Sequence, residues 1–252
     1  MKITPCGLTK LSRTKLELAI DCPFCFWMDM KLNVSRVKGP PFTLNNAVDW
    51  LLKAEFDKYR EKKLTHPVMV AHRIVAAPWN DARLRLWRHT FTGIQTQYEG
   101  FLVYGAVDDI WIDAIMDLHV VDYKATGAKE TQIYDSYRRQ MEIYQWLLLQ
   151  QEKVKVSPVG YFLYAQADKT DGFDADVKAR LPFTMSIKVL NGDVAWVGPA
   201  IKEAARILKS DTPPVPRKNC GYCGFVRASY EMLLQAEKRP QASTQNSRDF
   251  HK

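Results

Sequence analysis

The residues best suited to chemistry are two aspartates and a lysine near the middle of the chain. Asp108 stands shortly after a glycine at the start of an apolar segment, and Asp122 and Lys124 close the next apolar segment. Because side chains alternate between the faces of a strand, Asp122 and Lys124 are predicted to point the same way. Two carboxylates on neighbouring strands can hold Mg²⁺ or Mn²⁺, and a lysine beside the ion can orient an attacking water. This set fits phosphodiester hydrolysis, although solvated charges at a strand end give the same short pattern.

Three short motifs surround these residues in a fixed order. They read GAVD at 105–108, VVDYKAT at 120–126 and QMEIY at 140–144. In this order they closely resemble the RecB-like branch of the PD-(D/E)XK nuclease superfamily. The resemblance extends over most of the chain, from about Ser12 to Gly224.

The resemblance implies an Mg²⁺- or Mn²⁺-dependent deoxyribonuclease with defined site residues. Asp108 and Asp122 would be metal ligands, and Lys124 would be the catalytic lysine. Gln140 and Tyr144 would support the site or contact DNA. An exonuclease acting on single-stranded DNA or duplex ends is the favoured subtype. Helicase or CRISPR-adaptation partners, and roles in DNA repair or phage metabolism, stay open.

The identity of a further metal ligand is less sharply predicted. The family places a histidine or an acidic residue on a helix before the first strand. The corresponding helix, expected at 44–63, contains no histidine. Asp49 matches the expected position best and Glu55 is the second choice. Asp57 is also open.

The cysteines form two C-x-x-C pairs at opposite ends of the chain, Cys22 with Cys25 and Cys220 with Cys223. Two intervening residues let both thiolates of a pair reach one metal centre. Since the sequence has five cysteines, two such pairs indicate a metal site more than four separate buried thiols. Cys6 lies outside both pairs and is expected to be a free thiol.

The metal at this cysteine site has two candidates. The spacing alone is typical of structural zinc. The sequence also resembles the iron–sulfur exonuclease domains of the CRISPR-associated and AddB-type proteins, which carry one early and three late cysteines. In that pattern Ser229 stands where the last cysteine is expected, and Cys25 would replace it. The resemblance favours a 4Fe–4S cluster, with zinc as the alternative.

A net charge of +8 favours a polyanionic partner such as DNA. Arg138 and Arg139, directly before Gln140, are candidate phosphate contacts. Arg85 and Arg88, close to two tryptophans, are candidates for tracking a nucleic-acid backbone. For this second pair, exposed charges around core tryptophans are an equally weighted interpretation.

The elements that position these residues alternate between helices and strands. Apolar spacing predicts helices at 11–20, 44–63, 132–151 and 199–209, and strands at 91–103, 105–113, 117–124, 158–165 and 181–190. The proline at position 23 is expected to break any regular pattern. Trp50, Trp111 and Trp146 are expected in the core. The order indicates an α/β fold, which the resemblance makes a restriction-endonuclease-like core. It has a central mixed sheet flanked by helices, an N-terminal helical part and a cysteine–metal clamp.

The expected organisation is a single domain over residues 1–240 and a flexible tail over 241–252. No apolar run approaches the roughly 20 residues of a membrane helix, and no signal peptide is visible. A cytoplasmic location without membrane contact is therefore expected, and a reducing compartment agrees with metal-binding cysteines.

A second function class competes with the nuclease. The same fold could serve as a nucleic-acid-binding or adaptor protein without turnover, and the missing helix histidine favours this alternative. The presence of Asp108, Asp122 and Lys124 argues against it, because binding alone does not need that set. The nuclease interpretation requires these three side chains to converge in the fold.

Overall fold

The computed structural model describes residues 3–170 and 179–237; the tail predicted at 241–252 lies outside them. The helices are α1 (Arg13–Asp21), α2 (Pro23–Lys31), α3 (Thr43–Glu61), α4 (Pro67–Ala71), α5 (Arg83–Trp87), α6 (Asp135–Leu149), α7 (Val197–Lys209) and α8 (Gly221–Glu237). The strands are β1 (Thr9–Ser12), β2 (Ala76–Pro78), β3 (Ile94–Tyr98), β4 (Phe101–Gly105), β5 (Asp109–Asp113), β6 (Asp117–Thr126), β7 (Lys155–Val156), β8 (Val159–Ala167) and β9 (Phe183–Asn191).

The main sheet is mixed and runs in the order β2-β5-β6-β8-β9, with the short β7 beside the start of β6. β5 and β6 pair antiparallel, whereas β6 and β8 pair parallel. The connection between these two parallel strands contains α6, as a parallel crossover requires. A smaller sheet in the order β1-β4-β3 adjoins the other side of α6. The predicted α/β fold with a mixed sheet flanked by helices is confirmed.

The central strand β6 is buried on both faces. Val120 packs into the core shared with α1, α6 and α7, whereas Val121 packs into a second core below α3. This double burial explains the continuous apolar run that precedes the charged residues of the strand. The polar residues at the end of β6 are therefore held in place by the buried residues that precede them in the strand.

The single strand predicted at 91–103 is wrong, because two strands occupy this segment. β3 and β4 pair antiparallel and join through Glu99 and Gly100, whose φ angles are 51° and 79°. Two positive φ values fit a tight two-residue hairpin turn. The next strand also begins later than predicted, at Asp109, so that Asp108 lies in the bend between β4 and β5.

The proline at position 23 begins a helix where the sequence predicted a break. Pro23 occupies the first turn of α2 and Cys22 is its N-cap. Proline suits this position because the first helical N–H has no partner within the helix. The preceding helix α1 begins at Arg13, two residues later than predicted, because Thr9–Ser12 form β1; Ser12 caps the helix, and its Oγ accepts a hydrogen bond from Lys15 N at 3.2 Å.

Within residues 3–170 and 179–237, no helix has both the length and the apolar character needed to cross a bilayer.

Candidate active site

Three side chains from the first two motifs meet at the end of the main sheet. Asp108 Oδ2 accepts a hydrogen bond from the backbone N–H of Tyr123 at 2.9 Å, which fixes the bend residue against β6. Two positions apart on that strand, the Lys124 ammonium forms an ion pair with the Asp122 carboxylate. The strand alternation predicted from sequence therefore brings the lysine and both carboxylates into one cluster.

The third motif supports this cluster from α6. Gln140 Nε2 donates to Asp122 Oδ1 at 2.7 Å, and Gln140 Oε1 accepts from Lys124 Nζ at 3.4 Å. The hydroxyl oxygen of Tyr144 lies 3.3 Å from Gln140 Nε2. The Gln140 side chain thus contacts both partners of the Asp122–Lys124 ion pair and fixes their relative position.

Packing against α6 explains why the first motif has a glycine at position 105. A Cβ atom added to Gly105 would stand 2.7 Å from Cε1 of Tyr144 and 3.3 Å from Cδ1 of Leu147. The tyrosine ring therefore occupies the space that any larger residue at position 105 would need. The contact joins the end of β4, just before Asp108, to the helix that carries Gln140.

Helix α3 supplies a third carboxylate and a second lysine. Lys53 Nζ lies 2.8 Å from Asp49 Oδ2 and 3.0 Å from Asp108 Oδ1. Asp49, the first choice from the sequence, is therefore joined to Asp108 through Lys53. Glu55, the second choice, forms its contact with His66 Nε2 at 2.9 Å instead.

Charge and burial shift the pKa of several groups in the cluster. Burial raises the pKa of Asp122 to about 7, with Lys124 opposing the shift and the charge of Asp108 adding to it. Burial and the charge of Asp108 also raise the pKa of Asp49. Burial disfavours the charged forms of Lys53 and Lys124, but their carboxylate partners outweigh it and raise the pKa of both lysines. The carboxylates of Asp49 and Asp122 are thus protonated more readily than they would be in water.

Asp49, Lys53, Asp108, Lys124, Gln140 and Tyr144 line an open cleft of about 690 Å³, whereas Asp122 is buried and is not part of its surface. Its walls come from the start of α1, the first turns of α3, the segment after α5, the β4–β5 bend and the polar end of β6. Besides the cluster itself, the lining includes Arg13, Asn45, Asn46, Arg88, Phe91, Tyr104 and Tyr137. The wall therefore combines positively charged side chains, amides and aromatic rings around the carboxylates.

The donors are of the chemical type that a hard divalent cation prefers, but among the described residues only the four cysteines are close enough together to form a ready-made metal site. Asp49, Asp108 and Asp122 offer carboxylate oxygens, which Mg²⁺ and Mn²⁺ prefer. The raised pKa of Asp49 and Asp122 reflects burial first and repulsion from Asp108 second, and a bound cation would favour their charged forms.

The family model of the PD-(D/E)XK nuclease superfamily matches residues 10–228. The chain belongs to the PD-(D/E)XK nuclease superfamily. Its members are mostly nucleases. No curated protein matches the sequence. Among solved structures, the crystal structure of SSO0001 is similar at 15% identity and a TM-score of 0.45, covering 87% of this chain and 85% of that one.

Two positively charged residues of the cleft, Lys53 and Arg13, were not predicted from the sequence. Lys53 bridges two of the acidic residues, and Arg13 lines the cleft from the first turn of α1. The spacing of Asp49 and Lys53, one helical turn apart, was a usable signal for their pairing. Arg13 had no such signal, because its position depends on how α1 meets the sheet.

The four arginines predicted to contact nucleic acid lie in different places on the PD-(D/E)XK fold. Arg88 is on the cleft wall, where it donates to the Asp108 carbonyl at 2.8 Å. Arg85 is exposed on α5 outside this cleft. Arg138 pairs with an acidic neighbour on its own helix, and Arg139 makes a forked contact with Glu17 of α1. The structure thus brings one of the four to the carboxylate cluster.

The four paired cysteines gather in a candidate metal site at the N-terminal ends of α2 and α8. All four Sγ atoms lie within 4.8 Å of one another. Burial disfavours the Cys22 thiolate, but backbone hydrogen bonds involving Cys25 and Arg217 outweigh it and lower the pKa of Cys22 to about 7. Burial raises the pKa of Cys25 and Cys223. Cys6 is exposed and is not part of the cluster.

Proposed function

We propose that this PD-(D/E)XK protein is a divalent-metal-dependent deoxyribonuclease of the RecB-like branch. The observation that best supports the proposal is that Asp108 and Lys124 line one open cleft while Lys124 forms an ion pair with the buried Asp122 carboxylate. A protein that only binds nucleic acid gains nothing from burying a carboxylate at 1% side-chain exposure beside a lysine, because burying charge is costly.

The proposed roles follow from the contacts of each side chain. Asp49, Asp108 and Asp122 would hold the cation, which would polarise the scissile phosphate and make a nearby water more acidic. Lys124 would orient the attacking water and stabilise charge developing on the phosphate. Gln140 would keep Lys124 beside Asp122 during this step, since it contacts both.

The cleft wall supports DNA as the substrate and favours unpaired strands. Arg13 on the cleft wall would attract a phosphate backbone, whereas Lys53 and Arg88 on the same wall are paired with aspartates. Phe91 is 74% exposed although it lines the cleft. An exposed ring beside cationic groups is typical of surfaces on which unpaired bases stack. We therefore propose an exonuclease that acts on single-stranded DNA or frayed duplex ends.

The proposal is tested by cleavage of end-labelled single-stranded and duplex DNA with Mn²⁺, Mg²⁺ or EDTA. The native protein is expected to cut single-stranded DNA with either metal, and EDTA is expected to stop the reaction. Asp122→Asn should remove the activity, because the ligand charge is lost while the side-chain shape is kept. A circular single strand and a matched RNA strand in the same series separate exonuclease from endonuclease and DNA from RNA.

DNA binding without cleavage in either metal would overturn the nuclease proposal in favour of a non-catalytic binding protein. For this outcome to count, the protein must be folded and its cysteine site must be loaded with metal. Cleavage of the circular strand would leave the nuclease in place and exclude the exonuclease subtype.

A further inference from the structure

We propose that Cys22, Cys25, Cys220 and Cys223 bind one zinc ion, and not the iron–sulfur cluster that the sequence resemblance favoured. This inference concerns a second site and is independent of the nuclease proposal. It rests on the spacing of the four sulfur atoms, on which chain segments supply them, and on the charges around them.

The sulfur spacing matches a single tetrahedral ion. Zinc–thiolate bonds of about 2.3 Å place the corners of a tetrahedron about 3.8 Å apart. The Sγ atom of Cys25 lies 3.7 Å from that of Cys220 and 3.4 Å from that of Cys223, and the Cys22–Cys223 distance is 3.9 Å. No pair among the four exceeds 4.8 Å.

An iron–sulfur cluster needs a wider arrangement. A four-iron cluster places a separate iron under each thiolate around a core of sulfides, so its cysteine sulfurs stand well beyond 4.8 Å. A two-iron cluster keeps two thiolates close on each iron but separates the two pairs. In this protein Cys25 Sγ lies 3.7 Å from Cys220 Sγ and 3.4 Å from Cys223 Sγ, and all four sulfurs lie within 4.8 Å of one another, so they do not divide into two separated pairs. Both cluster types are therefore inconsistent with the observed set.

The surroundings suit the negative charge of a zinc ion with four thiolates. Cys22 caps α2 and Cys220 directly precedes α8, so both helices begin at the cluster. Helix N-terminal ends carry partial positive charge and stabilise thiolates. Arg36 Nη2 lies 3.2 Å from Cys220 Sγ, while Nη1 of the same guanidinium is paired with Asp21 Oδ2 at 2.6 Å.

The site is structural, because all four tetrahedral positions would be filled by cysteine and none would be left for water or substrate. It is also separate from the cleft. The nine residues of α1 lie between Cys22 and the cleft residue Ser12, a span of about 13 Å along a helix. The ion would connect the start of α2 to the start of α8, which comes about 200 residues later in the chain.

The test is metal analysis of the native chain, purified without oxygen from cells grown with added iron, so that an iron–sulfur cluster would form and survive. The expected result is about one zinc per chain, no acid-labile sulfide and no broad visible absorption. After exchange, Co²⁺ should give the absorption bands of a tetrahedral tetrathiolate site. Stoichiometric iron with sulfide would overturn the proposal, and so would protein that is folded without any bound metal.

Substitutions assign the zinc to these cysteines and separate this site from the nuclease. Cys25→Ser and Cys223→Ser should each reduce bound zinc severalfold and lower the melting temperature. Cys6→Ser, a matched control at an exposed cysteine, should keep both. Lys124→Ala should keep its zinc while cleavage is lost, so that failure at one site is distinguishable from failure at the other. Full zinc content in both Cys25→Ser and Cys223→Ser would contradict the assignment.

Discussion

Lys53 on α3 places its ammonium 3.0 Å from a carboxylate oxygen of Asp108 and 2.8 Å from one of Asp49. A lysine thus bridges the two acidic residues that, with Asp122, form the proposed cation site. Its positive charge and a divalent cation would compete for the same oxygens. Lys53 would therefore weaken metal binding at the proposed site.

Replacing this lysine should strengthen metal binding. With Lys53→Met the two carboxylates lose their competing cation, and a partly exposed ion pair of this kind is worth about 1 kcal/mol. The Mn²⁺ concentration for half-maximal cleavage should fall on the order of fivefold. Lys58→Met, an exposed lysine on the same helix, is the matched control. An unchanged or increased Mn²⁺ requirement would argue against the competition.

The adjacent aspartates Asp108 and Asp109 should differ sharply in their effect on stability. Asp109 is fully buried and pairs with Arg60 and Arg88, and its Oδ2 accepts from the Tyr123 hydroxyl at 2.6 Å. Asp109→Asn leaves the partly exposed Asp57 as the remaining carboxylate partner of both arginines and should cost about 3 kcal/mol of unfolding free energy. Asp108→Asn should cost about 1 kcal/mol or less. Denaturant unfolding of both variants checks the difference, and equal losses would contradict it.

The amide of Gln140 should act by positioning Asp122 and Lys124. Gln140→Ala removes both contacts and is expected to lower kcat roughly tenfold or more, because small misplacements of reacting groups are costly. The Kd for uncleaved DNA should stay nearly unchanged. Gln150→Ala at the end of the same helix is the control. Weakened DNA binding with a normal kcat would instead make Gln140 a DNA contact.

The exposed ring of Phe91 should affect single-stranded substrates most. Stacking of one base on an aromatic side chain is worth about 1–3 kcal/mol. Phe91→Ala should therefore raise the KM for single-stranded DNA about tenfold and change cleavage of blunt duplex much less. Phe225→Ala, an equally exposed ring on α8, should change neither. Equal effects on both substrates would show that Phe91 does not read unpaired bases.

Much of the site was predictable because its signals are local. The alternation of a strand places Asp122 and Lys124 on one face, and the hairpin of β5 and β6 brings Asp108 beside them. The glycine before Asp108 and the tyrosine after Gln140 were predicted as motif members. Their mutual contact became clear only in the fold.

The features that were not predicted depend on tertiary contacts or on which face of a helix is buried. Trp50 was expected in the core but is 68% exposed, because α3 buries the stripe formed by Val48, Leu52 and Phe56. Trp111 and Trp146 are buried as expected. The beginning of α2 at Pro23 was missed because proline was treated as a breaker when it suits the first helical position.

The most direct test of the hydrolytic site is single-turnover cleavage of labelled single-stranded DNA by Lys124→Ala and by Lys129→Ala in Mn²⁺. Lys124 forms the ion pair with Asp122, whereas Lys129 is exposed in the following loop. The site predicts a rate at least about a hundredfold lower for Lys124→Ala, with unchanged DNA affinity, and a native rate for Lys129→Ala. Near-native cleavage by folded Lys124→Ala protein would contradict the assignment of this cluster as the hydrolytic site.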